Sequence, residues 1–251
     1  MERKKIKLYK TGAFSFGFLV ALLCVFSCEK ESLSAKQIID NTVRVYGGET
    51  KWNTIEQLDF DKKVVLFLED GSVQRQTDQF QLFQFKKPFG KIEWEENKAA
   101  HQIIFENLKI HPLKNDTLLT DPIEISRASG AFFASEFVIK QPFDLLRDDV
   151  ILTKQNDTII NKKACYIIAV GYKNEAPDAD RWHYIIDKET YNITANKIVL
   201  KDHTSWVENL TFDTSTDFIF NGHRKSYRLN SAGEKTYLRA EYWYSNYSVQ
   251  Y

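Results

Sequence analysis

Two hydrophobic periods divide the chain. From Ala35 to Tyr46 the apolar positions Ile38, Ile39, Thr42, Val45 and Tyr46 recur at helical spacing and share one face. Ser34 stands before them as an N-cap. Gly47-Gly48 follows, where glycine accepts the left-handed backbone that ends a helix. The spacing predicts one amphipathic helix with Trp52 and Ile55 packed beneath it. From Leu58 the period drops to two. Segments 58–68, 73–85, 91–96 and 101–111 read as strands, then 149–155, 158–172, 181–187, 192–201, 205–213, 217–221, 224–230 and 236–247. Asp70-Gly71, Asn97-Lys98, Asn156-Asp157, Asn221-Gly222 and Ser231-Ala232-Gly233 supply turns, so the pattern predicts an antiparallel meander. Between the two strand-rich stretches, 124–147 breaks the alternation. Ser126 is positioned to cap a helix through Phe132, Phe133, Phe137 and Val138, and Pro142 opens a short turn over Phe143–Arg147. This Phe-rich insert reads as a lid or plug.

Several strands are apolar on both faces. Val64, Leu66 and Leu68 oppose Val65 and Phe67; Phe80 and Leu82 oppose Phe83 and Phe85; Tyr166, Ile168 and Val170 oppose Ile167 and Ala169. A sheet with one wet face alternates cleanly. Two apolar faces need two covers, and in a curved sheet the inner cover is a helix, side chains or an apolar ligand. The strand at 205–213 alternates well, with Trp206, Glu208, Leu210 and Phe212 facing away from Val207, Asn209 and Thr211. Aromatic residues reach 14% of the chain, which favours strands.

The first 27 residues carry a different signal. Arg3, Lys4, Lys5, Lys7 and Lys10 precede an apolar run from Ala13 to Phe26. That run is short of the roughly 20 residues that span a bilayer and has the form of a signal peptide. It ends in Val25-Phe26-Ser27-Cys28, which resembles the lipobox of bacterial lipoproteins. The resemblance implies that Cys28 becomes a lipidated first residue on the outer membrane, at its periplasmic or surface face. Two or more acyl chains hold a protein stably on a membrane. An ordinary cleaved leader and an uncleaved anchor are the alternatives. Residues 28–33 (Cys-Glu-Lys-Glu-Ser-Leu) then form a tether, and 34–251 a single domain. The whole chain has 34 basic and 34 acidic residues; beyond residue 27, 29 basic face 33 acidic, a net charge of −4. Nothing here points to nucleic acid.

A leader, an amphipathic helix and a long meander with a helical insert resemble the LolA/LolB-like lipoprotein-carrier fold. That resemblance implies a mainly β, open half-barrel of about eleven antiparallel strands around an apolar cavity lidded by helices. Tyr46-Gly47-Gly48-Glu49, the run Trp182–Tyr191 with its Asp-x-x-Thr-Tyr turn, and Tyr242-Trp243-Tyr244 are similar to motifs of uncharacterised Gram-negative lipoproteins grouped as a domain of unknown function. The implied ligand is a lipid or other amphiphile. Trp182, Trp206, Trp243, Phe132 and Phe133 are the candidate ligand-binding residues; core packing and an exposed platform for a glycan or partner protein are the other readings of the three tryptophans. Trp52 and Trp94 read as core.

Catalytic patterns are thin. The five histidines (101, 111, 183, 203 and 223) form no zinc spacing, and no Gly-x-Ser-x-Gly elbow or Gly-rich dinucleotide loop occurs. Glu95-Glu96, Asp148-Asp149 and Asp178/Asp180 read as solvated pairs, and Cys165 as a small buried hydrophobe. The sequence therefore predicts a non-enzymatic protein with no cofactor and no metal. A hydrolase would need His183 or His203 to meet a carboxylate in a cleft.

Overall fold

The period-two segments assemble into one antiparallel sheet in the computed structural model, which describes residues 33–176 and 179–251. The leader, Cys28 and Asp178 lie outside the described residues. Fourteen strands are present among those described. The first half holds β1 (Gln57–Phe67), β2 (Val73–Gln84), β3 (Phe89–Glu96), β4 (Ala99–Glu106), β5 (Lys109–Lys114) and β6 (Thr117–Leu118). The second holds β7 (Val150–Lys154), β8 (Thr158–Ile160), β9 (Lys163–Tyr172), β10 (Arg181–Asp187), β11 (Ile193–Val199), β12 (Thr204–Asp213), β13 (Phe220–Leu229) and β14 (Lys235–Gln250). The order is β6-β5-β4-β3-β2-β1-β14-β13-β12-β11-β10-β9-β7, with β8 on β9. First and last strands thus meet in the middle, and β6 and β7 end the sheet without pairing with each other. The barrel is open.

The twelve segments of the pattern become fourteen strands, more than the eleven or so that the resemblance implies: two-residue turns hidden inside apolar runs split 101–111 and 158–172, and β6 is added. Asn107-Leu108 and Asn161-Lys162 both carry positive φ at each residue, as do Asn97-Lys98 and Asn115-Asp116. Asparagine accepts this backbone, which matches the twist of a tight hairpin. The reverse error occurs at Asn221-Gly222, which is no turn but lies inside β13. There the register with β12 slips, and a Cβ on Gly222 would stand 2.6 Å from the Thr211 Oγ1. Glycine at this place allows a bulge and a close backbone approach.

Helix α1 (Ala35–Val45) starts at Ser34 with a reciprocal capping box: the Gln37 N–H donates to Ser34 Oγ and the Ser34 N–H to Gln37 Oε1. Its buried face holds Ile38, Ile39, Thr42 and Val43, whereas Val45 is exposed. A short α2 (Glu49–Trp52) follows the glycine pair. Helix α3 (Pro122–Ile139) begins five residues earlier than a cap at Ser126 would place it. Asp121 caps it, accepting from the Ile123 N–H at 3.1 Å, and Pro122 fills the first turn. Topology gives α3 its place: the chain must pass from edge strand β6 to edge strand β7, and α3 with the 3₁₀ turn Phe143–Leu146 makes that crossing. The crossing packs at one end of the sheet with α1. Trp52 stacks on Phe143 at 4.1 Å and meets Phe218 edge-on, above Leu58, Phe60, Phe220 and Tyr247. Leu33–Tyr251 is one compact unit.

Candidate ligand cavity

Inward-facing residues change character along each strand. On β1, Leu58 and Phe60 lie in the core, and Lys62, Val64 and Leu66 face a cavity. On β14, Tyr247 is core, and Tyr244, Tyr242 and Ala240 face the cavity. On β10 the succession is Ile186 and Tyr184, then Trp182. The helices therefore fill one end of the half-barrel and leave the other hollow. The hollow is half-open and measures about 560 Å³, within the roughly 300–1,000 Å³ of small-molecule sites. Ala131, Ala134, Ser135 and Val138 of α3 cover it. Ile92, Ile103, Ile198, Leu200 and Val207 complete its apolar wall. A second void of about 20 Å³, below Trp182 and Arg224, has room for little more than one water.

The cavity is not uniformly apolar. The inward face of β2 carries Arg75, Thr77, Gln79 and Gln81, although its outward face holds Phe80 and Leu82. Ser135 Oγ donates to Gln81 Oε1 at 2.5 Å, and Gln81 Nε2 to Gln79 Oε1 at 2.7 Å, tying lid to wall. Lys62 Nζ reaches Ser135 Oγ at 3.3 Å. Across the cavity, β13 contributes Arg224, Ser226 and Arg228. Arg224 is 5% exposed. Its Nε donates to Asn209 Oδ1 at 2.8 Å and its Nη2 reaches Asn196 Oδ1 at 3.4 Å. Asn209 is held in the accepting orientation by its own Nδ2, which donates to the Ile193 carbonyl. Burial pushes the Tyr184 and Tyr46 phenols beneath this floor above their ordinary range.

The candidate aromatics divide between the faces. Trp182 stands on the cavity wall, 4.8 Å from the Phe137 ring of α3. Trp206 and Trp243 project to the opposite face, because both fall on the outward parity of their strands. Trp206 lines an outer groove of about 190 Å³ with His183, and Trp243 stacks on His223 at 5.0 Å beside a shallow trough. Phe132 is 1% exposed and anchors the lid among Phe83, Phe105 and Phe133. Phe133 is 43% exposed. Trp94, expected in the core, is half-buried, stacks on His101 and lines the cavity.

The remaining candidates have structural accounts. Asp187 Oδ1 accepts from the Glu189 and Thr190 N–H groups at 2.8 and 3.1 Å, and Lys163 lies 3.2 Å away, so the Asp-x-x-Thr-Tyr run is a capped turn. Burial raises this carboxyl, and the two N–H bonds and Lys163 more than reverse that, leaving it below its usual range. Cys165 is buried, and burial pushes its thiol up, away from the reactive thiolate. Burial and then Lys197 push His183 down. His203 Nδ1 lies 2.6 Å from Asp202 at the cavity rim, yet Asp202 is exposed, and no hydrogen bond joins His203 to a serine, threonine or cysteine among the described residues. Glu96 pairs with Arg75 and Asp149 with Arg147. Among the described residues no three His, Cys, Asp or Glu side chains cluster as a metal site, and no helix is long and apolar enough to cross a membrane.

The fold is similar to that of solved LolA-like proteins. A LolA superfamily protein from Nitrosomonas europaea overlays with a TM-score of 0.56 at 8% identity, covering 87% of this chain and 94% of that one. A putative outer membrane lipoprotein-sorting protein domain from Vibrio parahaemolyticus gives 0.50 at 9% identity, covering 86% and 92%. No family model and no curated protein matches the chain.

Proposed function

We propose that this chain is a non-catalytic lipoprotein of the bacterial cell envelope, held on the outer membrane by acylated Cys28, that binds a lipid or other amphiphile inside its half-barrel. The observation that carries the reading is the cavity of about 560 Å³ between the strands and α3. A packed core leaves few voids larger than a water, so a hollow of this size beneath a helical lid suits a guest. Trp182 is the ligand contact on the wall, and Phe132 and Phe133 act through the lid. Native mass spectrometry of the compact unit tests the binding, with mass analysis of the N-terminal peptide testing the anchor. A bound lipid and a diacylated Cys28 are the expected results. An unliganded protein that takes up no neutral fluorescent amphiphile overturns the first, and an unmodified Cys28 the second.

Trp243, stacked on His223 beside an outer trough, favours a second reading: recognition of a glycan or partner protein on the convex face. On that reading Trp243→Ala abolishes capture of the partner and leaves amphiphile uptake unchanged.

A further inference from the structure

The charges lining the cavity are out of balance. Lys62, Arg75, Arg224, Arg228 and Arg239 face it, against one carboxylate, Asp180, which is exposed at the rim. Arg75 is neutralised by Glu96. The other four cations form no ion pair among the described residues. Arg228 spends its charge on Ser205 Oγ and Arg239 on the Phe67 carbonyl, both neutral acceptors near the rim. Arg224 is the most exposed to this imbalance in energetic terms, because it is the most buried. Its Nε and Nη2 reach amide oxygens, and its Nη1 has no protein acceptor among the described residues. A charge taken out of water without a counter-ion is strongly disfavoured unless something else supplies one.

The other donors converge on the same place. Tyr242 is the register partner of Arg224 on the neighbouring strand, and Tyr244 that of Lys62. Lys62 Nζ lies 5.5 Å from both ring centres. Neither phenol has a hydrogen-bond partner among the described residues. Burial raises the Tyr242 hydroxyl above its ordinary value and Tyr244 adds to this, while Arg224, Arg239 and Arg228 pull it back, so all three guanidinium groups act on one phenol. The floor of the cavity is rich in donors and poor in acceptors. Val64, Leu66, Ile198 and Val207 continue from it toward the mouth.

We infer that the guest is an anionic amphiphile bound head-inward, its carboxylate or phosphate against Arg224, Lys62 and the Tyr242 hydroxyl, with its acyl chain along the apolar wall. This rests on the carrier reading above. An oxyanion supplies the acceptors that the floor lacks, and charge-assisted hydrogen bonds to such groups are the strong ones.

The test uses the compact unit Leu33–Tyr251 and displacement of the neutral probe N-phenyl-1-naphthylamine. Dodecanoate, dodecyl phosphate and dodecanol share a chain and differ in headgroup. Both acids are expected to displace the probe at concentrations at least tenfold below that of dodecanol, and the tighter of the two identifies the headgroup. Lys62→Met is expected to remove most of that preference with dodecanol unchanged. Arg224→Met is expected to do the same while lowering the melting temperature, since Asn209 and Asn196 lose the donor to their Oδ1 atoms; should it fail to fold, Lys62→Met carries the test. Equal displacement by acids and alcohol overturns the head-inward anionic site and leaves the carrier reading standing. A preference for acids that survives Lys62→Met also overturns it, placing the headgroup at the rim arginines. No binding of probe or any dodecyl compound overturns the carrier reading and the inference with it.

Discussion

Replacing Phe132 by alanine separates a lid anchor from a ligand contact. The ring is 1% exposed, with Phe83, Phe105 and Phe133 at centroid distances of 5.4, 5.3 and 5.4 Å. It lies so close to Gly90 that a Cβ there would stand 2.5 Å from its Cζ. Glycine at 90 is thus what lets α3 approach β3. Truncating a phenylalanine packed this way costs about 3–5 kcal/mol. For a domain of this size that corresponds to a fall in melting temperature of roughly 6–20 °C. Urea unfolding followed by tryptophan fluorescence is the assay, with the slope unchanged if the folded state keeps its compactness. Phe133→Ala is the internal control: at 43% exposure its ring is only partly buried, and the cost should stay below about 1.5 kcal/mol. Equal costs for the two, or a Phe132→Ala cost under about 1.5 kcal/mol, would refute the packing of α3 on β2–β4.

Two further substitutions test the supports of the sheet. Asp187→Ala leaves two turn N–H groups and Lys163 without their acceptor and is expected to cost about 1.5–3 kcal/mol. Because the folded carboxyl titrates below its usual range, its contribution is complete at neutral pH and is lost as pH falls below about 4; the variant's stability should therefore decline less steeply in acid than the parent's, and identical acid limbs would sink the idea. Gly47→Ala is expected to destabilise by roughly 1–3 kcal/mol, since φ there is +121° and the new Cβ would meet Phe218 Cδ1 at 2.5 Å and the Asp217 carbonyl at 2.9 Å. Thermal unfolding at unchanged or raised melting temperature would contradict that close approach.

Local signals carried the elements and failed at the site. The Ser34 cap of α1, the Asp70-Gly71 turn and the period-two runs are properties of neighbouring residues, and each reappears in the fold. Asn107-Leu108 and Asn161-Lys162 were legible in principle, since asparagine in a two-residue interval is a hairpin signal; their apolar or basic second residues masked it. Gly222 misled because a bulge glycine and a turn glycine look alike until the partner strand is known. The same misreading concealed the cavity floor. Once β13 is taken as continuous, Arg224, Ser226 and Arg228 fall on one face and Lys225 and Tyr227 on the other. A strand in mid-sheet with charged residues on both faces has no apolar face for the core, and that is the pattern that marks a polar interior. Parity also places Trp206 and Trp243 outward, but only after register fixes which parity faces in.

The two ends of the half-barrel then serve opposite demands. At the helical end, Trp52, Phe132, Phe143 and Phe218 bury large aromatic surface against α1 and α3, and stability resides there. At the hollow end, a desolvated guanidinium, a lysine held by a serine and two tyrosine rings but by no carboxylate, and two phenols without acceptors are all unfavourable for the empty fold. On the inference above, such groups become favourable when an anion completes them. Substitutions in the aromatic end should therefore move the melting temperature and leave headgroup preference intact, whereas Lys62→Met should move the preference and leave the melting temperature nearly level. A chain in which every cavity-floor substitution instead unfolded the protein would place the floor within the core and remove the physical basis for a guest.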